Sequence, residues 1–480
     1  MKIKAIFLQL ALTAFSVLKG FAILKLTVEL GDEQFAFLSQ FLVMAAFLGQ
    51  IALLNFDALV VSELALEKQK SDKIMRPLML IWFFVSFFIA VSVSIWSHEL
   101  SITIWGGEQY FNYLPLFALY IVVLSFNLTS LIEFQGKKQF VNYSVYQFVQ
   151  QFLQLVAVSI GVYIDNVYSL ILILISFEIL VSMLGLKKIG LLFSGIEEIG
   201  TALKWIKLNA ISSLGLLIST LMIWILINGG RLVIVNESDL QTLAKYVATC
   251  SIAMLPGLFV NPICTIIFPY LSHEPNEAEN AAEMGLLLVM VLGAIVAVIL
   301  IVFAKQLLAF VAKQELYAGD WFVYTISIGQ VIYGQSRLIS LYAIAKQRSG
   351  VGFVAYSVGA FVFIVSSIFL IQPFGLTGVG VSFLFGNYVS YLYLINALSV
   401  GFSVSFKFAK FNYLHVLLLL LIILSSAAVF IGSDKFLISS LVIILIVGIY
   451  LFSTVIFVAK RPVGALLVKK ILNLRKICCG

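Results

Sequence analysis

Residues 77–97 (PLMLIWFFVSFFIAVSVSIWS) contain no Asp, Glu, Lys or Arg, and neither do residues 414–432 (LHVLLLLLIILSSAAVFIG). A helix needs about twenty such residues to cross ~30 Å of hydrocarbon, so each block has the length of one membrane crossing. Similar blocks recur along the chain: 62% of the 480 residues are hydrophobic and 11% are charged. A soluble domain carries roughly 45–50% apolar and about 25% charged residues, so this chain lacks the polar surface to cover itself in water. A membrane β-barrel would show alternating segments of about ten residues with a polar interior. Continuous apolar blocks, interrupted by only eight prolines, predict helices that satisfy their own backbone hydrogen bonds in lipid. The amino-terminal MKIKAIFLQLALTAF joins a basic start to an apolar run as a signal peptide does. No small-x-small cleavage site follows and the run continues, so it reads as a first span.

The predicted class is an all-α, polytopic membrane protein of about fourteen spans. Hydropathy and turn signals place them near residues 5–29, 35–61, 77–97, 113–133, 144–164, 167–186, 209–230, 242–270, 284–304, 321–343, 351–371, 379–399, 414–432 and 436–459. With the amino terminus inside, inner segments hold 22 of the 30 basic residues, whereas outer segments hold only Arg231, Lys305, Lys313 and Lys435. This bias predicts a bacterial cytoplasmic membrane protein with both termini in the cytoplasm. One inner loop, 273–283 (HEPNEAENAAE), carries no Lys or Arg, but acidic residues weigh little in that rule. The net charge of +7 is therefore read as a cytoplasmic face meeting anionic lipid, not as a nucleic-acid surface. Outer connections are short, the longest being 98–112 and 305–320, which leaves no room for an outer catalytic domain.

Residues 187–208 repeat apolar Ile196, Ile199, Leu203 and Ile206 beside Lys204, Trp205 and Lys207, as a helix lying along headgroups would. Trp96, Trp105, Trp205 and Trp321 fall near span ends and predict interfacial anchors. Asp239 and Gln241 after the seventh span echo Asp32 and Gln34 after the first. This echo predicts a parallel repeat: an N-terminal six-helix lobe (1–186), an interfacial linker (187–208), a C-terminal six-helix lobe (209–400), and an appended helix pair with a basic tail (401–480).

A Lys or Arg at the centre of a lipid-facing helix costs about 2.5–3.5 kcal/mol, so Lys19, Lys25 and Arg337 should not face acyl chains. Lys25 is shallow enough to snorkel. Lys19 lies deeper and calls for a polar interior or an acid such as Glu178. Gln147, Gln150, Gln151 and Gln154 recur at i, i+3, i+4 and i+7 and share one helix face. Two readings of that face stand side by side: hydrogen bonding between helices, or amides presented to sugar hydroxyls in a hydrated cavity. Tyr324, Ser327, Gln330, Gly334 and Arg337 form a second stripe, with Gln335 close by. Two stripes, one per half, predict a hydrated cavity between the lobes. Asp57 and Glu133 lie toward inner span ends, while Glu178 is better placed for ion coupling.

No phosphate-cradling GxxxxGK[ST], HExxH or GxSxG motif occurs, and His98, His273 and His415 are scattered. Four cysteines without paired spacing predict neither a metal site nor a disulfide framework. No cofactor and no enzymatic activity are expected.

Two segments carry a family likeness. LGDEQFAFLSQFLVMAAFLGQIALLNFDALVVSELA (30–65) has an acidic turn, then small and aromatic residues, and later Asn55, Phe56 and Asp57. NGGRLVIVNESDLQTLAKYVATCSIAML (228–255) repeats the arrangement with Arg231 and an Ala-Lys-Tyr turn at 244–246, and Pro269 falls late in the eighth span. With the length, span count and two-lobe layout, the chain resembles the Wzx-type polysaccharide or O-antigen flippases of the multidrug/oligosaccharidyl-lipid/polysaccharide (MOP) exporter superfamily. Ala36 departs from the family's usual glycine, and Ser62 or Glu63 stands near where arginine is frequent.

The resemblance implies a flippase for an undecaprenyl-diphosphate-linked oligosaccharide working by alternating access. Membrane lipids, a polysaccharide polymerase and a chain-length regulator are its implied partners. Lys19, Lys25, Arg231 and Arg337 would then meet the anionic headgroup, the glutamines with Gln330 the sugars, and Glu178 or Asp57 a coupling ion. A proton- or sodium-coupled multidrug exporter of the same fold is the alternative, and a membrane-bound polysaccharide polymerase a more distant one.

Overall fold

Every regular element among the described residues is helical, as hydrocarbon requires of a chain that must satisfy its backbone internally. The computed structural model describes residues 3–57, 59–61, 71–137, 139–189, 199–260, 263–264, 267, 271, 275–346 and 348–401. The spans expected at 414–432 and 436–459, the basic tail, Pro269 and residues 190–198 of the expected linker lie outside the described residues.

The elements are α1 (Ile3–Val28), α2 (Asp32–Ile51), α3 (Ser71–Ile95), α4 (Ser97–Trp105), a 3-10 turn (Glu108–Tyr113), α5 (Leu114–Gly136), α6 (Phe140–Tyr163) and α7 (Val167–Ile189). They continue with α8 (Ile199–Glu237), α9 (Leu240–Ala253), a second 3-10 turn (Leu255–Phe259), α10 (Pro275–Val311), α11 (Asp320–Ala345) and α12 (Ser349–Gly401). Eight helices among the described residues are long and apolar enough to cross a membrane. One of these is Gly350–Leu398, 49 residues within α12. At ~1.5 Å per residue it has the length of two crossings of ~30 Å. The helix breaks at Gly375 (φ 56, ψ −139), beside Pro373, between the two spans expected there.

Three boundaries differ from expectation. The eighth span was expected to run unbroken from 242; instead α9 stops at Ala253 and a 3-10 turn follows, because Pro256 brings no backbone N–H. Residues 199–208 form the first turns of the 39-residue α8, with no Gly or Pro to interrupt it at Leu208 and Asn209. There Trp205 is buried, its ring 5.5 Å from that of Phe56. Thirdly, the 98–112 connection folds as α4 and a 3-10 turn, joined through Gly106 in the left-handed region (φ 73). Trp105, expected as an interfacial anchor, is 0% exposed. Its ring packs 5.6 Å from Phe37 and 5.4 Å from Phe117, because the folded connection carries it inward. Trp96 and Trp321 are exposed, as anchors require.

The described residues fall into two compact units, the first drawn from Met1–Ser251, Leu307–Ala318 and Ile364–Leu376, the second from Ile252–Gln306, Gly319–Phe363 and Thr377–Gly480. In the first, the Phe37 ring stacks on Tyr110 at 4.6 Å, and Phe41 meets Phe117 at 5.2 Å. Below the end of α2, Leu54 (φ 51) and Asn55 (φ 54) turn the chain through the left-handed region. The turn is held to α8: Asn55 Nδ2 donates to Thr220 Oγ1 at 2.6 Å, and Ser213 Oγ donates to the Leu54 carbonyl. Helices α6 and α7 approach so closely at Gly161 that a Cβ there would lie 2.7 Å from Leu170 Cα. Within the second unit, α11 is buried along most of its length although it carries Ser327, Gln330, Gln335 and Ser336. It is not one of the eight apolar helices, which fits a helix shielded from lipid by protein.

Candidate functional site

Within the first unit, four helices turn their polar residues toward one another. The glutamine face of α6 meets α1 through two contacts of equal register: Ser16 Oγ donates to Gln151 Oε1 at 2.7 Å, and one turn later Lys19 Nζ donates to Gln154 Oε1 at 2.9 Å. Equal spacing on both helices means that they run parallel here. The exposed apolar residues of α6, Val145, Phe148 and Phe152, occupy a different stripe.

Opposite Lys19, the amide of Gln154 donates from Nε2 to Glu178 Oε1 on α7. Gln150 Nε2 donates to Glu178 Oε2 at 3.0 Å, and Asn127 Nδ2 on α5 donates to the same oxygen. Asn127 is itself fixed: its Oδ1 accepts from Tyr146 OH at 2.7 Å and from Ser182 Oγ at 2.8 Å, so its N–H is left pointing at the carboxylate. Glu178 and Asn127 are each 1% exposed. A carboxylate this deep persists as an anion only when it is both hydrogen bonded and balanced by a cation. Three amides supply the hydrogen bonds, and Lys19, one amide away, supplies the charge. Lys19 and the glutamines remain half-buried, so the edge of the cluster is open while its carboxylate is sealed.

The remaining sequence-derived candidates are dispersed. Gln147 is half-buried on the same face of α6. Lys25 is exposed, its Nζ 5.5 Å from the centre of the Phe310 ring, a cation–π contact in the last turn of α1. Arg231 on α8 is half-buried and donates to Ser39 Oγ on α2 at 2.8 Å, with Tyr246 and Cys250 of α9 also facing it. Asp57 is half-buried beside the α2 break and is not among the groups that surround Glu178. Glu133 is buried and pairs with Lys137 one turn on. Between α8 and α9, outside the spans, Asp239 Oδ1 accepts from the Thr242 backbone N–H at 2.6 Å. That bond holds its carboxyl below the ordinary value.

In the second unit, Gln330 is 4% exposed, and its Oε1 lies so close to Gly257 that a Cβ there would be 2.6 Å away. Ser327 Oγ donates to the Ala253 carbonyl at 3.0 Å. Arg337 is half-buried, with Cys264, Tyr333 and Tyr356 facing its guanidinium. Among the described residues no group of three or more His, Cys, Asp or Glu side chains comes together.

Sequence reasoning missed Asn127, Tyr146, Ser182, Ser16 and Ser39. A signal was present for three of them: Ser16 lies one helical turn from Lys19, Ser182 one turn from Glu178 and Tyr146 one turn from Gln150, so each falls on a face already marked as polar.

Eight helices long and apolar enough to cross a membrane, with polar groups buried between them, define a polytopic membrane protein. No protein-family model matches the chain, and no curated protein matches it. Solved structures do. The lipid II flippase MurJ in an inward closed conformation matches with a TM-score of 0.70 at 15% identity, over 92% of this chain and 97% of that one. An inward-facing multidrug resistance MATE family transporter of the MOP superfamily matches with a TM-score of 0.64 at 15% identity, over 83% and 99%. A MOP superfamily transporter from Pyrococcus furiosus, reported for the reverse polarity of its binding pocket, matches with a TM-score of 0.58 at 13% identity, over 82% and 94%. The chain thus has the fold of the MOP superfamily transporters.

Proposed function

We propose that the protein is a flippase that moves an undecaprenyl-diphosphate-linked oligosaccharide, an O-antigen, capsule or exopolysaccharide repeat unit, across the bacterial cytoplasmic membrane by alternating access. The observation that carries this reading is the Lys19 cluster: within a fold shared with a lipid II flippase, an ammonium and a stripe of amides meet between α1 and α6. Lys19 would meet the diphosphate, with Lys25, Arg231 and Arg337 as further cations on its path. Gln147, Gln150, Gln151, Gln154 and Gln330 would replace the water lost by the sugar hydroxyls. Fourteen spans arranged as two six-helix lobes with an appended pair, and both termini in the cytoplasm, complete the proposal. A polymerase and a chain-length regulator are the partners that such a substrate implies.

A proton- or sodium-coupled multidrug exporter is the second reading, favoured by the buried acid Glu178 and by the likeness to MATE transporters. Binding separates the two. In lipid nanodiscs, undecaprenyl-diphosphate-linked oligosaccharide is expected to bind at least tenfold more tightly than undecaprenol, and Lys19→Ala and Arg337→Ala each to lose most of that preference. Equal binding of the two lipids, with tight binding of a lipophilic cation, would establish the second reading.

A further inference from the structure

We infer that Glu178 and the phosphate of the substrate are alternative counter-anions of Lys19, so that seating an anionic headgroup loads one proton onto Glu178. The inference rests on the flippase reading of this site and adds the proton to it.

The helices packed around the carboxylate turn few groups toward it. From α5 come Asn127 and Tyr120, from α6 Gln150, Gln154 and Tyr146, and from α1 Lys19. Of these groups Lys19 alone is charged near neutral pH. The unloaded cluster is thus one cation and one anion in a protein interior, with neutral dipoles between them. A phosphate brought to Lys19 adds negative charge next to a carboxylate that is 1% exposed and has no second cation among these groups. Two anions that share one cation away from water do not both stay ionised. The phosphate touches the ammonium directly, whereas Glu178 reaches it only through an amide, so the proton settles on Glu178.

Gln154 makes the exchange mechanically simple. At present its Oε1 accepts from Lys19 and its Nε2 donates to Glu178. A protonated Glu178 donates where it formerly accepted. The amide then turns its Oε1 to the new donor, and Lys19 is released to the phosphate. One proton enters from water and bonds to a Glu178 carboxylate oxygen; no other covalent bond changes. Because binding takes up a proton, protons in turn favour binding, and affinity falls as pH rises, by at most tenfold per pH unit for one proton.

Calorimetry on the full-length protein in nanodiscs, with undecaprenyl diphosphate as ligand, tests this at one pH in two buffers of different ionisation enthalpy. The expected result is uptake approaching one proton per lipid bound, and in Glu178→Gln binding without uptake and with a flattened pH dependence. Binding without uptake by the unsubstituted protein overturns the inference and leaves the flippase reading intact, and needs no variant to fold. Full uptake retained in Glu178→Gln also overturns it. Failure to distinguish undecaprenyl diphosphate from undecaprenol removes the flippase reading and this inference together.

Discussion

Lys19→Met is expected to lower flipping at least tenfold and to destabilise the protein by about 2–3 kcal/mol, two effects with one cause. Removing one partner of a fully buried ion pair costs roughly 3–5 kcal/mol, because the other charge is left without compensation. The cost here falls below that range because Lys19 is half-buried and reaches Glu178 through Gln154. Glu178→Gln alone leaves amide donors facing amide donors and should cost about 1–2 kcal/mol. The double variant Lys19→Met/Glu178→Gln then has no buried charge to strand. Its stability should exceed the sum of the single effects by about 1–2 kcal/mol, while flipping stays low. Unfolding in nanodiscs of the four proteins closes this cycle. Strict additivity would mean that the two side chains do not sense each other, and the site as described would not exist.

Gly161→Leu is the second substitution with a large effect. A Cβ at 161 would meet the Leu170 backbone at 2.7 Å and its Cβ at 2.5 Å, and backbone cannot rotate aside. The α6–α7 pair must splay, at a cost of about 1–3 kcal/mol or more. Splaying also draws Gln150 and Gln154 away from Glu178, so activity should fall further than stability alone accounts for. Gly20→Ala is the control for an open position, since nothing lies within 4 Å of a Cβ there; inside α1 it should destabilise nothing and should raise stability by up to about 1 kcal/mol. Equal loss in both variants would show that helix glycines matter here for some reason other than close approach.

The parts legible in the sequence were those written as spacing or as a forbidden cost. Four glutamines at i, i+3, i+4 and i+7 announce one polar face whatever the neighbours are, and the structure turns that face onto α1 and α7. The depth of Lys19 required a polar interior or an acid such as Glu178. What one sequence did not contain was the amide between them, because contact across 135 residues of chain leaves no local pattern. The same holds for Arg231 and Ser39, 192 residues apart. Trp105 was misread because proximity to a span end is a rule about chain position, whereas its burial follows from α4 folding back onto Phe37 and Phe117. The α8 boundary was misread because amphipathic spacing over 199–208 does not tell a helix lying in the interface from the first turns of a longer one.

Reconstitution into proteoliposomes, with a fluorescent undecaprenyl-diphosphate-linked oligosaccharide and a membrane-impermeant quencher, follows transbilayer movement itself. The account predicts quenching of the protected inner-leaflet pool at a rate well above that of protein-free vesicles, and a rate at least tenfold lower with Lys19→Met. A rate equal to that of empty vesicles, or one that Lys19→Met leaves unchanged, would contradict it.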